Sequence, residues 1–119
     1  LRVERAAMNE AMRYFDDTVD VSHMKLGWDI EAASDDGRIL VEVKGLSGDD
    51  LGFELTPREY EQMLKHRERY LLLVMTAALS ARPRVRIFRC KPGADSPEWV
   101  SEQGERLKLE ERIGARCRL

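Results

Sequence analysis

Hydrophobic and polar positions alternate along this chain with two different periods. Over residues 2–17, RVERAAMNEAMRYFDD, Val3, Ala7, Ala11, Tyr14 and Phe15 recur at helical spacing with Met8 and Met12 beside them, which predicts a helix. At about 100° per residue, Glu4 falls within that apolar stripe, beside Met8, Ala11 and Phe15, an odd position for a carboxylate. TVDVS (18–22) predicts a short strand and HMKLG a loop. WDIEAAS and RILVEVKG then flank DDGR. Asp36-Gly37 between them predicts a hairpin with a two-residue type I′ loop, a turn that needs positive φ at both central positions. LSGDD marks another turn and LGFEL a short extension. TPREYEQMLKHRE opens a second helix, with Thr56 as N-cap, Pro57 at the first position and Glu59 completing a capping box. YLLLVMTA (70–77) is apolar throughout and suits a central strand covered on both faces. RPRVRIFRC (82–90) alternates basic and apolar residues like a half-exposed strand. Beyond Lys91 the pattern weakens: SPEWV reads as the start of a helical turn, and RLKLEE alternates like an edge strand. The interleaved order predicts an α/β fold, a mixed central sheet flanked by helices.

The hairpin carries the chemistry. With Asp36-Gly37 as the loop, Asp35 pairs with Arg38, so Asp29 faces Lys44 and Glu31 faces Glu42. All four project from one side, while Ile30, Ala32, Val41 and Val43 fill the other. Directly opposed Cβ atoms lie about 5 Å apart, so three carboxylates and one lysine crowd a small area. Two readings are open. A solvated hairpin face would gain about 0.2–1 kcal/mol from each cross-strand ion pair. A divalent cation would instead relieve the clash of Glu31 with Glu42; crowded carboxylates beside a strand carbonyl suit Mg²⁺. A neighbouring lysine can then stabilise charge developing on a phosphoryl group.

Composition narrows the setting. The chain has 119 residues, 35% of them charged and 43% hydrophobic, as expected of one globular domain. Its net charge of −2 gives no global attraction to nucleic acid, so a polyanion site requires a local basic patch. Arg82, Arg84 and Arg86 are expected on one face of the late strand, with Arg89 and Lys91 beyond, as phosphate contacts or as a solvated sheet face. Cys90 and Cys117 lack metal-site spacing and read as reduced thiols of an intracellular, cytoplasmic protein (nuclear in a eukaryote). His23 and His66 read as isolated surface residues. No apolar run approaches the roughly 20 residues of a membrane span. There is no Gly-rich phosphate loop, and the opening LRVERAAMNE, without an initiator methionine, suits a domain within a larger protein.

Asp29, a spacer with a turn, and Glu42-Val43-Lys44 resemble the D…(D/E)-x-K signature of the restriction-endonuclease-like nuclease superfamily, whose core order is α-β-β-β-α-β. More specifically, GWDIEA…LVEVKG…FELTPREYEQM…YLLLVM resembles the domain at the C-terminus of plant NO VEIN proteins, from about Glu4 to about Phe88. The resemblance implies Asp29 and Glu42 as acids holding Mg²⁺ or Mn²⁺, the Val43 carbonyl as a further ligand and Lys44 as the catalytic lysine. It also implies Glu4 as an acid pointing into the site from the first helix; the alternative is a first-turn carboxylate favoured by the helix dipole. Trp28 stands where the superfamily's nominal proline would be. Glu59 reads as a cap rather than a ligand.

The expectation is therefore a divalent-metal-dependent nuclease domain acting on nucleic acid, DNA in the first instance. The resemblance implies a parent chain with further domains, such as a helicase or ATPase, in DNA processing or phage defence. The rival is a catalytically silent module of the same fold that binds nucleic acid or a partner protein; a purely structural domain is the third reading.

Overall fold

The computed structural model describes all residues except Leu1, Ala94 and Ile113. Helix α1 (Arg2–Tyr14) leads into strands β1 (Asp16–Asp20), β2 (Ile30–Ser34), β3 (Gly37–Gly45) and β4 (Gly52–Leu55). Helix α2 (Pro57–Lys65) and strand β5 (Tyr70–Thr76) follow, then β6 (Arg84–Cys90), β7 (Trp99–Ser101), β8 (Lys108–Glu111) and β9 (Ala115–Arg118). The main sheet runs β1-β2-β3-β5-β6-β7; β3 and β5 are parallel and every other neighbouring pair is antiparallel. A second sheet, β4-β9-β8, is antiparallel throughout. This is a mixed α/β fold.

Three layers result. Ala7 and Ala11 are fully buried and let α1 lie close on one sheet face, where Ile30, Val41, Leu71, Leu73 and Ile87 form the core. The other face packs Leu40, Tyr70, Leu72, Val74 and Phe88 against Met63 of α2 and against Phe53, Leu55, Ala115 and Cys117 of the small sheet. All seven residues of β5 are buried, as its continuous apolar run requires of an inner strand covered twice.

The hairpin forms one residue earlier than expected. Its loop is Asp35-Asp36, closed by Ser34 opposite Gly37, and neither aspartate has positive φ. The positive value, +120°, falls on Gly37 just after the turn, so the sequence's glycine signal is spent there and not inside a type I′ loop. Each cross-strand partner therefore shifts by two positions. Side-chain parity survives such a shift, so the faces stand while the pairings change.

The C-terminal segment also differs from expectation. SPEWV starts no helix; Trp99–Ser101 is β7, and its buried tryptophan joins the main core. Lys108–Glu111 is an edge strand, as its alternation indicates.

Candidate active site

The charged residues converge where β3 passes under the start of α2. In the observed register Glu31 lies opposite Leu40, not Glu42, and its carboxylate accepts the Trp28 Nε1–H at 3.0 Å. Asp29 lies just before β2, on the line that continues the ladder to Glu42. There its Oδ2 accepts the Val43 N–H at 2.9 Å, in place of a backbone partner. The crowded acids are thus Asp29 and Glu42. The clash expected of Glu31 and Glu42 is absent because the register sets Glu31 opposite Leu40.

Lys44 lies between two carboxylates, 3.3 Å from Glu42 Oε2 and 3.0 Å from Glu59 Oε1. Glu59 closes the capping box: its side chain accepts the Thr56 N–H at 3.0 Å, and its own N–H donates to Thr56 Oγ1 at 3.1 Å. One carboxylate thereby fixes both the start of α2 and the ammonium of β3. Sequence spacing shows the cap; the bond to Lys44 depends on how α2 crosses the sheet, which no local pattern encodes.

Burial governs the electrostatics. Glu42 is 2% exposed, and no donor among the described residues reaches its Oε1. Burial first, and the Asp29 charge second, push its pKa up to about 9. Near neutral pH it therefore holds a proton, which Asp29 and Glu59 lie within reach to accept. Asp29 is also raised, mainly by burial, against the Val43 N–H that favours its charge. For Glu59, burial is outweighed by the Thr56 N–H and by Lys44, and its pKa is lowered. Burial likewise opposes the Lys44 ammonium, but Glu42 and Glu59 prevail and raise it. Lys44 with Glu59 is the ion pair, and Glu42 is the neutral acid beside it. Tyr70 closes one side of the cluster by donating its hydroxyl to the Gly27 carbonyl at 2.6 Å.

Asp29 and Glu42 are the side chains that could hold a cation. Among the described residues no three His, Cys, Asp or Glu side chains form a metal cage; two carboxylates, a strand carbonyl and water make the smaller set that Mg²⁺ uses.

The remaining expected residues lie elsewhere. Glu4 is exposed in the first turn of α1, on the layer opposite the face that carries Glu42. The four arginines do not share one solvated face. Arg82 is exposed in the bend before β6, and Arg84 is exposed at its start. Arg86 is 7% exposed, and its Nε donates to Glu105 Oε1 at 2.9 Å. Arg89 emerges from the other face. Cys90 and Cys117 are both free, and burial pushes the Cys117 thiol up to about 11. His23 is exposed, and His66 is the half-buried C-cap residue of α2. Among the described residues no helix is long and apolar enough to cross a membrane.

Comparison with curated proteins and with solved structures returned no match. The family model for the C-terminal region of Protein NO VEIN matches residues 3–88, from α1 through most of β6, and includes Asp29, Glu42, Lys44 and Glu59. The chain belongs to the Protein NO VEIN C-terminal family.

Proposed function

We propose that this chain is a divalent-cation-dependent phosphodiester hydrolase domain of the restriction-endonuclease-like type. Its substrate is nucleic acid, DNA in the first instance, and its setting is a larger DNA-processing or phage-defence protein. The observation that carries this reading is the buried Glu42, whose Oε1 is reached by no donor among the described residues, beside Asp29 and Lys44 at one end of a rigid strand. Once Glu42 is ionised, a buried carboxylate oxygen without a donor costs more than about 1–3 kcal/mol, and a cation is one way to satisfy it. Asp29, Glu42 and the Val43 carbonyl would hold Mg²⁺ or Mn²⁺. Such a cation, when bound, polarises a phosphoryl oxygen and lowers the pKa of its water.

The chain's own residues supply the rest. Glu42 must release its proton to solvent before it can ligate, because Asp29, the other carboxylate ligand, must itself be ionised. Lys44, held by Glu59 at 3.0 Å, brings a fixed positive charge to the phosphoryl oxygens. Because β3 and α2 hold it in place beforehand, little reorganisation is needed as charge develops.

The catalytically silent module is favoured by a different observation. Asp29 already serves Val43, Lys44 already serves Glu59, and Glu42 is closed to solvent, so the same cluster can act as a polar lock between hairpin and helix.

Plasmid cleavage with Mg²⁺ or Mn²⁺ separates the two. Wild type should cleave. Lys44→Ala should retain cation binding and lose about 10²–10³ in rate, as for loss of one preorganised charge-stabilising group. Asp29→Ala should lose cation binding and cleavage together. A wild-type chain that neither cleaves nor binds the cation leaves the silent module as the function.

A further inference from the structure

A second charged surface begins at the other end of α2, where the chain turns into β5. Lys65, Arg67 and Arg69 are exposed there, Lys91 is exposed after β6, and Arg106 and Lys108 are exposed at the start of β8. Arg67 lines three adjoining hollows. It shares one with Lys65 and Arg69, one with Lys91, and the third, of about 850 Å³, with Arg106 and Lys108. The six cations therefore occupy one continuous surface.

Counter-charges are fewer. The carboxylates lining these hollows are Glu68, Glu98 and Glu111, which leaves an excess of three positive charges on a chain whose net charge is −2. Glu98 is 3.6 Å from Arg106, and Glu111 accepts the Tyr60 hydroxyl. The local field registers on His66, whose pKa is lowered by partial burial and then by Arg69 and Lys65. The surface also borders the candidate site: the His66 ring meets Trp28 edge-on at 5.7 Å, and Trp28 adjoins Asp29.

We infer that this surface binds the phosphodiester backbone of a nucleic acid, without regard to base sequence, and leads the strand toward Asp29. Exposed lysines and arginines strung along an extended surface match a polymer with one negative charge per residue. The choice of nucleic acid over an acidic protein rests on the hydrolase reading of the adjoining cluster, but the binding itself needs no cation and no cleavage. It replaces the surface expected around Arg82, Arg84 and Arg86, which the burial of Arg86 breaks up.

Fluorescence anisotropy with labelled 20-nucleotide DNA and RNA, in EDTA, tests this. With about four phosphates contacted, affinity should fall by about two orders of magnitude between 50 and 200 mM salt. The Arg67→Glu/Lys91→Glu double variant should bind at least tenfold more weakly with a flatter salt slope, while an Arg82→Ala/Arg84→Ala control should match wild type. All four positions are exposed, and circular dichroism would verify the fold. No oligonucleotide binding by wild type would overturn the proposal, as would loss of binding only in the Arg82/Arg84 control. Competition by polyglutamate as effective as by unlabelled oligonucleotide would also overturn it, in favour of an acidic protein partner. Because divalent cations are absent throughout, failure here is distinct from failure to hydrolyse.

Discussion

Glu42 shows how far one residue can be read from sequence. Its place in an apolar strand two positions from Lys44 marks it as unusual, and alternation puts both on one face. Its depth of burial and its neutral state come from α2 and the second sheet covering that face, which nothing in EVK encodes. Those properties have a pH consequence. An unfolded glutamate ionises near 4.5 and Glu42 at about 9. Between those values the folded chain keeps a proton that the unfolded chain has lost, so stability falls as pH rises and levels off above about 9. Glu42→Gln mimics the protonated acid and removes this term. Its thermal midpoint should exceed that of wild type by a margin that grows from pH 5 to pH 8, at roughly 3–6 °C for each kcal/mol. Scanning calorimetry at several pH values would measure this; a constant or shrinking margin would show that Glu42 is ionised in the folded state. Arg86 is the complementary case. A basic–apolar alternation looks like a solvated face, but Glu105, from a turn nineteen positions on, draws this arginine inward.

Among the elements, those governed by local chemistry were the most legible. Thr56, Pro57 and Glu59 define the start of α2, and the apolar run that fills β5 up to Thr76 places it inside the sheet. The hairpin is legible as a hairpin and its faces are correct, but its register rests on whether Gly37 takes its positive φ within the turn or after it. Strands β7, β8 and β9 are three or four residues long, and β9 pairs with β4 far back along the chain, so their local patterns carry little signal. The contact of α1 with β3 is equally hidden, although one residue betrays it. A Cβ on Gly45 would lie 2.6 Å from the Val3 carbonyl oxygen, a backbone atom that cannot swing aside. Gly45→Ala should therefore displace the first turn of α1 and cost about 1–3 kcal/mol, as overpacking typically does. Denaturant unfolding checks this, and an unchanged midpoint would mean that α1 does not seat there in solution.

At the scale of the whole molecule, the packing of α2 on one face of the main sheet places the acids, the lysine and the helix cap at a single junction. Sequence spacing put Asp29, Glu42 and Lys44 on one face by strand parity, but put Glu31 with them, which the observed register sets opposite Leu40. Glu59 joins them only through the crossing of α2, whereas Glu4 lies exposed on the opposite layer. The proposed hydrolysis requires this junction to accept a divalent cation. Calorimetric titration of Mg²⁺ into the chain between pH 6 and pH 8.5 tests that most directly. Ligation requires the Glu42 proton to leave, so affinity should tighten by up to tenfold per pH unit across this range, with proton release, and should vanish in Asp29→Ala. Absence of binding at every pH, or binding that ignores both pH and the loss of Asp29, would contradict it.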